Sequence, residues 1–165
     1  MWLESKELSE WAFEYCRDKE DREDIWKNIT DSEWAYNYCR DIKDRPEVRK
    51  NITDSCWAYY YCKDVVDRKS VWKIITDPLF AYSYCRDIKD RPEVWRNITG
   101  SNSAHAYCRD IKDRPEVRKY IIEAYAACLY CREVKDRPEV RKYARKLEGD
   151  SEDLWKKVVY SKRGE

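Results

Sequence analysis

A cysteine recurs every 23 residues along most of this 165-residue chain, and no other sequence feature constrains the fold as strongly. A tyrosine precedes each of these cysteines, and an alanine lies four residues before each of them. Self-similarity at a fixed period of about 20–50 residues is typical of proteins built from stacked repeats. The sequence therefore predicts one domain, residues 1–165, with six repeats at residues 8–30, 31–53, 54–76, 77–99, 100–122 and 123–145. The periodic cysteines are Cys16, Cys39, Cys62, Cys85, Cys108 and Cys131.

Each repeat is predicted to form two helices, as the second copy, Asp31–Thr53, shows best. Its apolar residues are spaced about one helical turn apart, which predicts a first helix over Ser32–Lys43. A second helix is predicted to begin at Asp44, which caps it, with Pro46 in its first turn. Such a short helix, of about 8 residues, is not stable alone and needs packing against neighbouring repeats. The predicted fold is all-α, an α-solenoid of six 23-residue two-helix repeats with short capping ends, the C-terminal cap being residues 146–165.

Charged side chains make up 41% of the chain, but 34 basic and 33 acidic residues leave a net charge of only +1. A near-neutral chain argues against a broad surface for polyanions and against an acidic mimic of DNA. Leu, Ile, Val and Phe together number only 29, but 8 Trp and 14 Tyr supply large surfaces for burial, which favours a folded chain. The first residues lack the apolar run of a signal peptide, and no stretch approaches the roughly 18 apolar residues of a spanning helix. We therefore expect a cytoplasmic protein with no membrane partner.

The cysteines and the single histidine are not expected to carry catalysis. Neighbouring helix pairs lie roughly 10 Å apart, whereas a disulfide needs Cα atoms within about 7 Å. Each periodic cysteine is therefore interpreted as a small apolar residue where two helices approach closely, and Cys56, outside the series, as the most exposed thiol. Metal or redox chemistry at the pair Cys128 and Cys131 is a less favoured alternative, and His105 is interpreted as a substitute for an aromatic residue. The sequence predicts no enzyme, no metal and no cofactor.

The second repeat contains the segment WAYNYCRDIKDRPEVRKNI, which resembles tandem repeats of uncharacterised bacterial and phage proteins. Those repeats have approximately the pattern YAYRYA, an aliphatic pair, Gly-Arg and then Trp-Pro-Glu, and the likeness extends as a pattern over residues 8–145. This chain differs in carrying cysteine where those repeats carry alanine, and Asp-Arg-Pro where they carry Gly-Arg-Trp-Pro. The resemblance implies a helical repeat fold and a phage or bacterial origin. It implies no activity, because the function of that family is unknown.

Three aromatic columns recur with the repeats and supply the candidate binding residues. The first column, Trp11, Trp34, Trp57 and Phe80, lies on the apolar face and is predicted to pack in the core. The second lies about 60° beyond the cysteine column, beside Arg40, where one of two open interpretations is a half-exposed aromatic and basic stripe. The third column has Trp in some repeats and Arg in others. This alternation predicts a surface position, where either side chain can lie flat. The alternative is that the second and third columns only pack between repeats. Because Trp, Tyr and Arg are enriched at binding hot spots, the predicted partner-binding residues are Tyr36, Tyr59, Tyr82, Arg40, Trp26, Trp72, Trp95 and Arg49.

The predicted function is that of a non-catalytic interaction module for a protein partner. It would act as a scaffold, an adaptor or, if phage-encoded, an inhibitor of a host protein. One alternative is binding of single-stranded nucleic acid, with bases stacked on the aromatic residues and arginine on the phosphates. A second alternative is self-assembly into a homo-oligomer, because repeat units with weak caps can stack end to end. These three functions differ in the partner that the chain binds.

Overall fold

The computed structural model describes residues 4–145, and that part of the chain is all-helical, with twelve helices and no strand. The predicted all-α class is confirmed. The predicted C-terminal cap, residues 146–165, lies outside the described residues. Long helices are α1 (Ser5–Asp18), α3 (Ser32–Asp41), α5 (Ser55–Asp64), α7 (Pro78–Asp87), α9 (Ser101–Asp110) and α11 (Ala124–Glu133). Short helices are α2 (Glu23–Trp26), α4 (Pro46–Arg49), α6 (Lys69–Trp72), α8 (Pro92–Trp95), α10 (Pro115–Arg118) and α12 (Pro138–Ala144).

The helices pack within two compact units, Met1–Thr76 and Asp77–Glu165. In the first unit α3 packs against both α1 and α5, and each short helix packs against the long helix that precedes it. In the second unit α9 packs against both α7 and α11, and the short helices pack in the same way. Within residues 4–145, no helix is long and apolar enough to cross a membrane.

The long helices form where the sequence predicts them. The helix predicted over Ser32–Lys43 is confirmed as Ser32–Asp41, two residues shorter at its end. Asp31 caps it, because the Asp31 carboxylate accepts the backbone N–H of Glu33 at 3.0 Å. The buried face carries the recurring alanine, tyrosine and cysteine, and their counterparts in the other long helices are buried as well, except for Tyr15 of α1, which is half-buried. In α3 these residues are Ala35, Tyr38 and Cys39.

The short helices differ from the prediction in length and in their caps. The helix predicted to begin at Asp44 and to span about eight residues is the four-residue α4, Pro46–Arg49. Pro46 occupies the first turn as predicted, but the residue at the cap position is Arg45, whose side chain makes no capping hydrogen bond. The predicted capping role of Asp44 is therefore wrong. Its carboxylate turns instead toward Arg49 and Arg68, 2.6 and 2.9 Å away.

A serine that recurs in four of the long helices, Ser9, Ser32, Ser55 and Ser101, links its helix to the chain that follows. Ser9 is fully buried, and its hydroxyl accepts the backbone N–H groups of Thr30 and Asp31 at 3.0 and 3.1 Å. Ser32 and Ser101 accept backbone N–H groups 21 and 22 residues later in the same way. These bonds satisfy the N–H groups at the start of the next long helix, which otherwise lack partners. They therefore fix the 23-residue offset between consecutive helices.

A buried tyrosine joins an aspartate and an arginine in a network that recurs along the chain. In the first, the Tyr38 hydroxyl donates to Asp21 at 2.5 Å and accepts from Arg45 Nε at 2.7 Å. Arg45 also pairs with Asp21 through its Nη2 at 2.5 Å. The aspartate always comes from one 23-residue period, and the tyrosine and the arginine come from the next. Further examples are Asp44–Tyr61–Arg68, Asp90–Tyr107–Arg114 and Asp113–Tyr130–Arg137, and the Tyr84 hydroxyl likewise accepts from Arg91 Nε at 2.7 Å.

The networks shift the pKa values of their members in opposite directions. Burial raises the pKa of Asp21, Asp44 and Asp113, but the hydrogen bonds from tyrosine and arginine outweigh it, and the net shift is downward. Burial, reinforced by the bond to Asp44, raises the pKa of Tyr61 to about 12. The carboxylates are therefore ionised and the tyrosines neutral at neutral pH, as the ion pairs require.

Candidate functional site

The second aromatic column is buried, and its interpretation as a half-exposed stripe is wrong. Only 3%, 5% and 7% of the surfaces of Tyr36, Tyr59 and Tyr82 are exposed. In α3 the column lies on the flank that faces α5. Tyr36 of α3 stacks on Trp57 of α5 with ring centroids 5.4 Å apart. A helix packed between two others is buried on both flanks, which the pattern of a single helix does not reveal.

The first aromatic column, predicted to be core, lies at the surface instead. Trp11 is 44% exposed, and Trp34, Trp57 and Phe80 are half-buried. Within the first unit the two columns interleave, because Trp34 packs on Phe13 with centroids 5.2 Å apart. In the first unit the first column therefore covers part of the second and is the more exposed of the two.

The third column is not the tolerant surface that its exchange of Trp and Arg predicts. Trp26 and Trp72 are buried, and Trp95 and Arg49 are half-buried. Where the column has arginine, that arginine neutralises the network aspartate of its own repeat, as Arg49 does for Asp44. Where it has tryptophan, the network arginine of the next repeat lies over the ring. Examples are Arg45, 5.4 Å from the ring centre of Trp26, and Arg114, 5.5 Å from that of Trp95.

An aromatic cavity opens between α3 and α5, on the long-helix side of the first unit. Its volume is about 360 Å³. Tyr36 and Trp57 form one stacked wall, and Tyr60 lies 5.9 Å from Trp57 and 6.2 Å from Tyr36 between ring centres. Tyr60 is 37% exposed. The remaining lining residues are polar or charged, namely Glu33, Asn37, Arg40 and Asp64.

Two of the three charged groups at the aromatic cavity are neutralised by partners. Arg40 pairs with Asp41 at 2.6 Å, and its guanidinium lies 5.0 Å from the ring centre of Tyr36. Glu33 pairs with Lys6 at 3.0 Å. The third group, the Asp64 carboxylate, accepts the Tyr36 hydroxyl at 2.7 Å. Burial, and secondly this bond, raise the pKa of Tyr36, so the hydroxyl remains a donor.

Two larger cavities lie beside the short helices, but their aromatic rings are already covered. One, of about 470 Å³, contains Trp26, and the other, of about 580 Å³, contains Trp95. Arg45 covers Trp26, and both Arg96 and Arg114 lie within 5.7 Å of the ring centre of Trp95. Among residues 4–145, by contrast, no cation lies over Trp57 or over Tyr60. The aromatic cavity therefore combines accessible rings with a carboxylate.

The structure brings together only part of the predicted binding set. Tyr36 and Arg40 line the aromatic cavity, whereas Trp26 and Trp95 line the cavities beside the short helices. The remaining members, Tyr59, Tyr82, Trp72 and Arg49, contribute mainly to packing or to ion pairs.

Sequence reasoning misses three residues of the aromatic cavity: Trp57, which the pattern assigns to the core, Tyr60 and Asp64. The sequence signal that could have identified Tyr60 and Asp64 is a residue that differs from its counterparts in the other repeats. Tyr60 stands where other copies have small, polar or aliphatic residues, and the residue before Asp64 is lysine where the other copies have arginine.

All eight cysteines are thiols, and the six periodic ones are buried as predicted. Burial raises the pKa of Cys39, Cys85, Cys108 and Cys131 to about 12. His105 is buried as well, with Nε2 3.3 Å from Glu133 Oε2 but without hydrogen-bond geometry, and burial lowers its pKa. Within the described range, no group of three or more His, Cys, Asp or Glu residues could hold a metal ion.

Thiol labelling is expected to separate two cysteines from the other six. Cys56 and Cys128 are half-buried, whereas the periodic thiols are both buried and, where their pKa reaches about 12, almost entirely protonated at neutral pH. Native protein treated with iodoacetamide at pH 7.5 should gain two labels by intact mass, at least about 100-fold faster than the rest. The double variant Cys56→Ser and Cys128→Ser is the control and should gain none on that timescale. Fast labelling of Cys39 in the native protein would contradict the packing.

Comparison of the chain with protein-family models, with curated proteins and with solved structures gives no match. Function is therefore inferred from the geometry of the aromatic cavity and from the helices that form it.

Proposed function

We propose that the protein is a non-catalytic interaction module, an α-solenoid of six 23-residue repeats that binds a protein partner at the aromatic cavity. Three features support the repeat arrangement: the 23-residue intervals at which all the long helices after α1 and all the short helices begin, the serine links between consecutive helices, and the recurring Asp–Tyr–Arg networks. The single observation that supports the binding role most strongly is the pair of uncovered rings, Trp57 and Tyr60.

Those rings have the properties of a binding hot spot. Tryptophan and tyrosine are enriched among the residues that carry most of the energy of protein interfaces. Both rings are held on α5, and Trp57 is stacked on Tyr36 of α3, so the surface is rigid before any partner binds. A preorganised surface loses little conformational entropy on binding, which favours affinity.

Charge favours a protein over a nucleic acid as the partner at this cavity. The first unit, residues 1–76, contains 14 Arg and Lys against 17 Asp and Glu, a net charge of −3. Phosphate backbones bind through neutralisation by Lys and Arg, and a net negative unit disfavours that contact. The Arg40 guanidinium beside the cavity is already paired with Asp41.

Replacement of Tyr60 by alanine is expected to weaken partner binding by at least about tenfold, because hot-spot truncations cost about 2 kcal/mol or more. The measurement is capture from a lysate of the native host with the full-length chain as bait, followed by titration of the captured protein. Tyr125→Ala is the matched control, since Tyr125 is an exposed tyrosine on α11 of the second unit.

The same experiment separates the three partner classes. A stoichiometric protein that survives nuclease treatment and is lost with Tyr60→Ala supports the proposal. Recovery that disappears with nuclease would favour single-stranded nucleic acid. Capture of a second copy of the chain, with a mass that rises with concentration, would favour self-assembly. Equal binding by Tyr60→Ala and Tyr125→Ala would exclude the aromatic cavity as the site.

A further inference from the structure

Asp64 is the exception in a recurring series of ion pairs. The last residue of every long helix is acidic, and in five of the six helices the arginine immediately before it pairs with it at 2.6 Å. In α5 the preceding residue is Lys63, whose ammonium donates to the Tyr59 hydroxyl at 3.2 Å and lies 5.5 Å from the centre of that ring. The substitution of lysine for arginine leaves the Asp64 carboxylate without the cation that its counterparts have.

Among residues 4–145 the Asp64 carboxylate accepts one hydrogen bond, from the neutral Tyr36 hydroxyl, which in turn accepts Arg40 Nη1 at 3.0 Å. Asp64 is exposed and lines the aromatic cavity together with Trp57 and Tyr60. Because Glu33 and Arg40 are paired with Lys6 and Asp41, the carboxylate of Asp64 is the one charge of the lining with no direct ion pair among the described residues. The cavity is therefore negative and aromatic.

We propose that the aromatic cavity receives an arginine or lysine side chain of the partner protein, an inference that rests on the proposed function. The Asp64 carboxylate would pair with its charge, while the faces of Trp57 and Tyr60 would hold it by cation–π attraction. The chain already uses this combination internally. Arg40 both covers the Tyr36 ring and pairs with Asp41.

The size and the surroundings of the cavity suit one long basic side chain. A volume of about 360 Å³ lies at the low end of ligand cavities, which span about 300–1,000 Å³. The net charge of −3 on the first unit attracts a basic segment and raises its rate of encounter. At the cavities of Trp26 and Trp95, the chain's own arginines occupy the rings.

The test is a titration of the full-length protein followed through the NMR signal of the Trp57 indole N–H, which is assigned by its loss in Trp57→Phe. The probes are N-acetyl-arginine amide and its uncharged isostere N-acetyl-citrulline amide. The arginine amide should shift the signal saturably with a millimolar Kd, and the citrulline amide should bind at least about tenfold more weakly, because it cannot pair with Asp64.

Two variants isolate the carboxylate. Asp64→Asn should weaken binding of the arginine amide by about five- to tenfold, whereas Asp18→Asn should change it less than about twofold. Asp18 is the matched control because it occupies the equivalent position, is exposed, and is paired with Arg17. Lys63→Arg should weaken binding as much as Asp64→Asn does, because the introduced guanidinium would pair with Asp64 as Arg40 pairs with Asp41. Unchanged circular dichroism confirms that each variant folds.

Either of two results would overturn the inference: equal affinity of the two amides, or equal affinity of Asp64→Asn and Asp18→Asn. Failure of this inference can be distinguished from failure of the proposed function. If capture of the partner is lost with Tyr60→Ala but unchanged with Asp64→Asn, the aromatic cavity is the partner's binding site, but the partner does not place a basic side chain against Asp64. If the arginine amide binds at Asp64 but Tyr60→Ala does not affect capture, the cavity does bind a cation, but it is not the surface that the partner protein contacts.

Discussion

Asp113→Asn is expected to lower the free energy of unfolding of the second unit by about 2–4 kcal/mol, because it removes the charge at the centre of a buried network. The Asp113 carboxylate pairs with Arg118 at 2.6 Å and with Arg137 at 2.8 Å, and it accepts the Tyr130 hydroxyl at 2.9 Å. Arg118 is only 8% exposed, so its charge cannot be rehydrated without local opening. Glu139, 3.2 Å from Arg118, compensates in part.

The measurement is urea unfolding at pH 7, followed by Trp fluorescence and by circular dichroism. Glu116→Gln is the matched control, since it also removes one negative charge from the second unit, but at an exposed position on α10. It should change the stability by less than about 0.5 kcal/mol. A loss for Asp113→Asn no greater than that of Glu116→Gln would show that the network adds nothing to stability.

The helices could be predicted from the sequence because their signals are local. The apolar residues of α3 recur one turn apart, and Asp31 stands at the position of a helix cap, so both the face and the start of that helix follow from one short segment. The recurrence of that segment predicts the same helix elsewhere in the chain. The burial of each cysteine follows from its place on the same face.

The exposure of the aromatic columns could not be predicted, because it depends on the neighbouring helix. The pattern of α3 alone places Trp34 on the apolar face and Tyr36 at its edge. In the structure, Trp57 of α5 covers Tyr36, and the order of exposure is reversed. The expected cap at Asp44 is wrong for a related reason. Its partners Tyr61 and Arg68 lie 17 and 24 residues later, beyond the reach of a local motif.

The aromatic cavity is accessible to sequence reasoning only through exceptions. Residue types that recur in every repeat indicate which positions pack between helices. A residue that differs from its counterparts in the other repeats indicates a property that only one repeat has. Tyr60 and Lys63 are two such departures within one turn of α5, and Asp64 matters only because Lys63 precedes it. Recurrence alone directs attention to Tyr36, Tyr59 and Tyr82, which are the residues that hold the helices together.

Acidification below about pH 4 is expected to destabilise the protein, because the aspartates of the unfolded chain then bind protons that the folded networks do not. Hydrogen bonds from tyrosine and arginine outweigh burial and lower the pKa of Asp21, Asp44 and Asp113 in the folded state. An aspartate in the unfolded chain has a pKa of about 3.9, so the unfolded state binds more protons as the pH falls through this value. The networks therefore contribute their full stability above that pH, and the contribution is lost as the pH falls toward the folded-state pKa values.

The difference between wild type and Asp113→Asn tests this linkage directly. Urea unfolding at pH 7, 5, 4 and 3 should give a constant difference in stability down to pH 5 and a smaller one at pH 3, because Asp113 of the unfolded wild-type chain then binds a proton that the folded network does not. The difference between wild type and Glu116→Gln should stay near zero over the same range. Wild-type stability that does not change between pH 5 and pH 3, or a difference for Asp113→Asn that does not shrink, would mean that the Asp113 carboxylate is not held in its charged form by Tyr130 and the two arginines. In that case the Asp–Tyr–Arg networks would form because the helices pack together, and they would not themselves stabilise that packing.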